Sequence, residues 1–292
     1  LSMYRRRIRR QKELFMIERI RELAAEMKPA MIDLAQRLIR TPSLSGQEKD
    51  VADLILAELE KLGYDEVFRD PWGSVCGIIH GTEPGPAIMY NGHMDHVDIG
   101  DLSEWHGYEP YGGVIDIDEM YNEAGDALEK AEVIHGRAAA DTKSGIACQI
   151  YSGAILAQLK KEGVGFKGDY MVSFVVMEEP AEQIGIIGLI DNEFPKRGLH
   201  VDGVVSCEAT ALKIYCGHRG RVEINVEVAG VTSHGASPWL GINAVNKATK
   251  LIDAVEAYYA EHYQVDEKLG KSSIALTVIN CTPGTKLSLI HI

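Results

Sequence analysis

No C-x-x-C pair occurs among the five cysteines, Cys76, Cys148, Cys207, Cys216 and Cys281, which are odd in number and widely spaced. That pattern fits neither a disulfide framework nor a thiolate zinc site, and a reducing, cytoplasmic setting is the default expectation. Cys76, Cys148 and Cys207 fall in apolar segments, where a cysteine is a small core residue rather than a nucleophile. Apolar runs are short: the longest, such as Met171 to Met177, are strand-sized and far from the ~18 residues of a membrane helix. Neither G-x-G-x-x-G nor G-x-x-x-x-G-K-S/T follows any apolar strand, which argues against a nucleotide-binding α/β protein. Internal repeats and low-complexity tracts are missing too. With 46% hydrophobic and 25% charged residues the chain has the composition of a folded protein, not a disordered one.

Positive charge is scarce outside one end. Arg5, Arg6, Arg7, Arg9, Arg10 and Lys12 fall in the first twelve residues, and the remainder carries 24 basic against 43 acidic side chains. A body that acidic repels phosphate backbones, so nucleic acid is not an expected partner. The basic leader is followed by an amphipathic pattern instead of an apolar signal-peptide core, and reads as a frayed or mis-called start. At the other end, Leu287 to Ile292 is what CTG TCT CTT ATA CAC ATC encodes, the string of a transposon-type sequencing adapter. Residues 287–292 are therefore expected to be a library scar, with the native protein continuing past Lys286 and His291 without a role.

The 292 residues allow one large domain or two ordinary ones. Ile17, Ile20, Leu23, Met27, Met31, Leu34 and Leu38 recur at helical spacing, predicting one or two opening helices with Pro29 starting the second. Ser45-Gly46-Gln47-Glu48 reads as a capping box for a helix that stops at Gly63. Tyr64–Arg69 and Ser74–His80, joined by Asp70-Pro71-Trp72-Gly73, read as a hairpin. Buried strands follow at Ala87–Tyr90, Tyr170–Met177 and Gly203–Cys207, with a helix at about Ser144–Lys161. Leu102–Glu132 reads as a surface excursion with a short helix at Tyr121–Lys130. Strands alternating with helices imply an α/β fold, a mixed and mostly parallel sheet with helices on both faces. Near Tyr215 the pattern changes to a half-exposed strand at Arg221–Val228, a helix from Asn243 to about Tyr263 and a strand at Ser273–Ile279, a second and smaller α+β domain.

Ligands of open α/β sheets bind beyond the carboxyl ends of the strands, where loops converge. His93 and Asp95, Glu178 and Glu179, and Glu208 each follow one of three buried strands, and Asp141 opens a helix. Singly, each has an ordinary alternative: Asp141 as a helix cap, the glutamates as solvated strand ends, His93 as a satisfied core histidine. Together they would cluster like charges unless a cation neutralises them, and one imidazole with several carboxylates suits zinc, cobalt or manganese.

In their order, Gly92-His93-Met94-Asp95, Gly136 to Gly145 with Asp141-Thr142-Lys143-Ser144, Glu178-Glu179, Cys207-Glu208 and Ser233-His234-Gly235 resemble the co-catalytic zinc hydrolases. That family includes acetylornithine deacetylase, succinyl-diaminopimelate desuccinylase, aminoacylases and carboxypeptidase G. The resemblance covers roughly residues 30 to 286, and the phrasing of His93–Asp101 and Arg219–Ala244 is most similar to the selenium-metabolism-linked hydrolases. It implies a metal-binding catalytic domain over 13–216 and an incomplete dimerisation or lid domain over 217–286. It further implies two divalent ions, with Asp141 bridging them, His93 and Glu208 completing one and Glu179 binding the other. Asp95 would hold the His93 ring by its other nitrogen, and Glu178 would be the general base in hydrolysis of an N-acyl or peptide bond of a small substrate. His234 would reach a homodimer partner's site and steady the oxyanion, and Asn243 would contact substrate or cap its helix.

The last ligand of that family, a downstream histidine, has no counterpart before Lys286, so the 292 residues alone are expected to be inactive and poorly folded. His96 stands where the family often has threonine and leaves an alternative ligand set open. Two other readings compete. A metallo-β-lactamase motif is partly imitated by His93-Met94-Asp95-His96, with Asn91 in place of the required first histidine. A non-catalytic or degenerate metal-stabilised dimer of the same fold is the second.

Overall fold

The computed structural model describes residues 2–121, 127–180, 183–210, 213–215 and 217–281. Residues 287–292 and Cys216 lie outside them. The chain divides into two compact units, Leu1–Leu212 and Lys213–Ile292.

In the first unit, helix α1 runs from Ser2 to Arg40 as one element, with Pro29 inside it and not at the start of a second helix. Pro29 is exposed, so the hydrogen bond its missing N–H forfeits lies on the solvent side and the helix passes through. Helix α2 spans Lys49–Leu62 and ends, as its pattern predicts, on Gly63 in the left-handed region at φ 79°. Its beginning differs from the expected capping box. No side chain caps α2; the Ser45 hydroxyl donates to Asp95 Oδ2 at 2.7 Å, and Glu48 Oε1 accepts from the N–H of Gly46 at 2.8 Å. The serine has taken a tertiary partner, while the glutamate keeps a local one.

Five strands make the main sheet: β1 Glu66–Arg69, β2 Val75–Ile79, β3 Ile88–His93, β6 Tyr170–Val175 and β7 Gly203–Ser206. They lie in the order β1-β2-β6-β3-β7. The β1–β2 hairpin is as expected, β2 pairs antiparallel with β6, and β3 runs parallel to both β6 and β7. Period-2 alternation sorts the side chains onto two faces. Val75, Ile79, Val172 and Phe174 join Leu34 and Leu38 of α1, Ile55 and Leu59 of α2, and Ile146 and Ile150 of helix α3, Ser144–Lys161. Cys76, Ile78, Met89, Met171 and Val175 meet Leu189 and Phe194 on the other face, beside the short helices α4 (Ile184–Gly188) and α5 (Phe194–Arg197). A fully buried aliphatic side chain contributes about 1.5–3 kcal/mol by leaving water, so these two layers clamp the central strands and fix where their ends lie.

Of the short helix expected at Tyr121–Lys130, Tyr121 and Ala127–Lys130 are strand instead, and residues 122–126 lie outside the described ones. Strands β4 (Val114–Tyr121) and β5 (Ala127–His135) pair antiparallel as a separate two-stranded sheet, with Ile115 opposite Ile134 and Asp116 opposite Val133. Cross-strand pairing has overridden the helix propensity of the Ala, Leu, Glu and Lys at the start of β5.

In the second unit, helix α6 covers Ala244–His262, and the Asn243 side chain caps it by accepting from Asn246 N at 3.0 Å. Strands β8 (Val265–Asp266) and β9 (Gly270–Lys271) form a small hairpin. Arg221–Val228 and Ser273–Ile279 alternate as strands should but have no ladder, because no neighbouring segment among the described residues offers them a paired edge. No described residue of this unit is buried.

Candidate metal centre

Because β3 lies between β6 and β7 and runs parallel to both, the three strands end at one edge. His93 closes β3 opposite Val175 of β6, and Asn91 lies opposite Ser206 of β7. Glu178 and Glu179 follow three and four residues past Val175, and Glu208 two past Ser206. Asp141 arrives from the turn that leads into α3, across a cis peptide to Thr142, and the Thr142 hydroxyl donates to the His93 carbonyl at 3.2 Å.

His93 is buried, with Nε2 2.8 Å from Asp141 Oδ1 and 4.0 Å from Glu178 Oε2. One donor atom each from His93, Asp141 and Glu208 lie within 4.8 Å of one another. Glu179 stands outside that trio but close enough to feel the Asp141 charge. The Nδ1 side of the ring is held by the Asp95 backbone carbonyl at 3.0 Å, while the Asp95 carboxylate lies 3.6 Å away. The carboxylate is engaged elsewhere: Oδ1 accepts from Glu178 N and Oδ2 from Glu179 N, both at 3.1 Å, besides the Ser45 hydroxyl.

The charges are unbalanced in a way that a cation would correct. Burial and the Asp141 charge raise the Glu179 pKa, and burial raises that of Glu208, again with Asp141 and Glu178 adding to it. Burial alone would lower the His93 pKa, yet the bond to Asp141, the nearby Asp95 carboxylate and the Asp141 and Glu208 charges outweigh it and carry the ring up to about 11. Among the described residues, the protonated His93 imidazole is thus the positive group beside these carboxylates, and one proton bridges the contact where two metal ligands would meet. Burial opposes ionisation of Asp95, but the nearby His93 ring and the Ser45 and backbone N–H bonds hold it at about 2. A donor set of one imidazole and several carboxylates fits a hard or borderline divalent ion.

His96 is not available to such a site. Its Nε2 accepts from Ser43 N at 2.9 Å and its Nδ1 donates to the Val97 carbonyl at 2.8 Å, so both ring nitrogens are used. That leaves the alternative ligand set and the metallo-β-lactamase reading without their second histidine. Lys143 points away from the carboxylates: fully buried, it donates to the Thr41 carbonyl at 2.7 Å, and burial lowers its pKa to about 7. His234 belongs to the second unit, where Nδ1 accepts from Ala236 N at 3.1 Å and its carbonyl closes a turn with Ser237. Ser45 and Glu48 are polar residues near the site that the sequence did not connect with it. Their signal was present, but it was that of a helix cap.

Fold and site together define an α/β protein with a carboxylate-rich cluster, a candidate metal centre, at the carboxyl edge of its parallel strands. Residues 89–279 match the profile of Peptidase family M20/M25/M40, and the chain belongs to that family. Over 273 residues it is 30% identical to the uncharacterized protein YgeY of Escherichia coli K12, covering 92% of this chain and 61% of that one. Over 276 residues it is 30% identical to the succinyl-diaminopimelate desuccinylase of Corynebacterium glutamicum, covering 91% of this chain and 66% of the enzyme. The chain thus spans under two thirds of the length of these curated relatives. A crystal structure of a proposed aminohydrolase from methicillin-resistant Staphylococcus aureus aligns at TM-score 0.50 and 18% identity, over 87% of this chain and 63% of that one. At that identity the likeness concerns the fold, and it agrees with the mixed, helix-covered sheet expected from sequence.

Proposed function

We propose that the chain carries the metal-binding half of a divalent-metal-dependent hydrolase that cleaves an amide bond, N-acyl or peptide, of a small substrate. The observation that carries this reading is the convergence of His93, Asp141 and Glu208 within 4.8 Å, with the Glu178 carboxylate 4.0 Å from the same imidazole. His93, Asp141 and Glu208 would hold one ion, and Asp141 with Glu179 a second. Zinc suits the set, and cobalt or manganese would also be accepted. When bound, such ions would supply Lewis-acid activation of water and of the scissile carbonyl.

The chain's own groups account for the proton's path. Glu178, half-exposed beside the trio, takes the proton from the attacking water and delivers it to the leaving nitrogen, so that water and amide become acid and amine. The Asp95 carbonyl fixes the His93 ring, leaving Nε2 to face the ligand position. The desuccinylase among the relatives supports an N-acyl amino acid as substrate, with peptides the alternative. In this reading the second unit makes a cytoplasmic homodimer, and His234 is given to the partner's site as the oxyanion donor.

The test uses protein expressed from its complete reading frame, assayed on a panel of N-acetyl amino acids, N-succinyl amino acids and dipeptides with metal content measured in parallel. Glu178→Ala is expected to lower kcat by about 10²–10⁴-fold with metal content unchanged. Unchanged turnover in that variant overturns Glu178 as the base.

A further inference from the structure

The segment that carries Glu178 and Glu179 leaves β6 through a backbone conformation it would not choose unaided. Met177 has φ 58°, in the left-handed region that a non-glycine residue rarely occupies. Three successive N–H groups past the end of the strand point into buried carboxylates. Met177 N donates to Glu48 Oε1 at 3.1 Å, Glu178 N to Asp95 Oδ1 and Glu179 N to Asp95 Oδ2, both at 3.1 Å. Glu48 is buried and its same oxygen accepts from Gly46 N, so the loop between α1 and α2 grips the turn from one side. Asp95, two residues past β3, grips it from the other and is itself tied to that loop by the Ser45 hydroxyl.

We propose that Glu48 is a positioning residue for the centre: its carboxylate, reaching from the α1–α2 loop, fixes the left-handed turn at Met177 and thereby the direction in which Glu178 and Glu179 face the site. This rests on the reading of Glu178 as base and Glu179 as ligand, but the anchoring itself is a property of the metal-free fold. Met177 is where the chain turns into the left-handed region, and Glu48 accepts that residue's N–H. Removing the acceptor frees the turn to relax toward a right-handed or extended backbone, which swings the next two side chains away from Asp141 and His93. Glutamine keeps an oxygen of the same reach, so it preserves both backbone bonds, whereas alanine loses them.

Hydrogen–deuterium exchange on the metal-free protein from the complete reading frame, read at the Met177–Glu179 amides against those of β6, tests the anchoring without any substrate. Cobalt(II) titration of the same samples tests its consequence. Glu48→Ala is expected to speed exchange at those amides by about 10-fold or more, and to weaken cobalt(II) binding by about 10–100-fold. Glu48→Gln is expected to stay within about 3-fold of wild type in both. Where the alanine variant does not fold, Glu48→Asp draws the oxygens back by one methylene and gives the same readout. Selective protection at Met177–Glu179 unchanged in Glu48→Ala or Glu48→Asp, or Glu48→Gln behaving like Glu48→Ala, overturns the proposal. Glu178→Ala separates the two readings: full turnover there removes the base assignment while leaving the exchange result standing.

Discussion

Asp95→Asn changes almost no volume and yet removes the acceptor on which the edge of the site is built. The side chain is fully buried, and its two oxygens take three donors: Glu178 N on Oδ1, Glu179 N and the Ser45 hydroxyl on Oδ2. The hydroxyl can rotate and accept, but the two backbone amides are fixed. Whichever way an asparagine amide is turned, one of these N–H groups faces a donor. The loss is one hydrogen bond to a charged acceptor, about 1.5–3 kcal/mol, plus a buried donor left unpaired, about 1–3 kcal/mol, so the folded state loses about 3–5 kcal/mol. The pH dependence has a defined sign. Although burial raises it, the Asp95 pKa is held down to about 2 from 3.8, so its stabilisation is complete above about pH 4 and is lost as pH falls through 2. That shift amounts to about 2.5 kcal/mol in full, of which about 1 kcal/mol is already gone at pH 3. Urea unfolding of the metal-free proteins from their complete reading frames should therefore show Asp95→Asn less stable at pH 6, with the gap about 1 kcal/mol narrower at pH 3. A gap below about 1 kcal/mol at pH 6, or one that widens on acidification, refutes the reasoning.

Two further predictions follow from the same edge. A Cβ on Gly92 would come 2.7 Å from Cys207 Sγ and 3.1 Å from Ile146 Cγ1, so Gly92→Ala should cost about 1–3 kcal/mol, and clearly less in a Cys207→Ala background; equal costs in a double-mutant cycle would show that the cysteine is not the obstacle. In the metal-free protein His93 is carried up to about 11, despite burial, by Asp141 and Asp95. That contribution is complete below about pH 6.5 and drains away as pH rises toward 11, so the metal-free protein should weaken from pH 6.5 to 9 more than His93→Gln does, and parallel curves would count against the coupling.

What the sequence made legible is what periodicity and strand ends encode. β6 is buried throughout and β3 largely so, while β7, expected to be buried, is an exposed edge strand; its apolar run still shows, and His93, Glu178, Glu179 and Glu208 stand out as the polar residues at or past the strand ends. Asp141 was readable as a helix-opening acid. The β4–β5 pairing was not, because Ala127–Lys130 at the start of β5 is rich in helix formers and only the pairing of Ile115 with Ile134 and its neighbours settles the matter. The strands expected at Arg221–Val228 and Ser273–Ile279 show the converse limit: alternation gives a residue's preferred face, but a ladder is a property of two segments and cannot be read from one.

Ser45 and Glu48 expose a deeper ambiguity. Serine followed three residues later by glutamate satisfies orphan N–H groups at a helix start, and the chemistry that makes this a good cap makes it equally good at holding any other exposed N–H or carboxylate. Here the glutamate still accepts from Gly46 N, a bond of capping type, while the same oxygen receives Met177 N from 129 residues away. The serine has left the helix altogether for Asp95. A local motif and a long-range anchor therefore share one sequence signature. Only the arrival of β6 beside the α1–α2 loop decides between them, and that is why the residues holding the Glu178–Glu179 turn look like ordinary helix punctuation until the fold brings the turn to them.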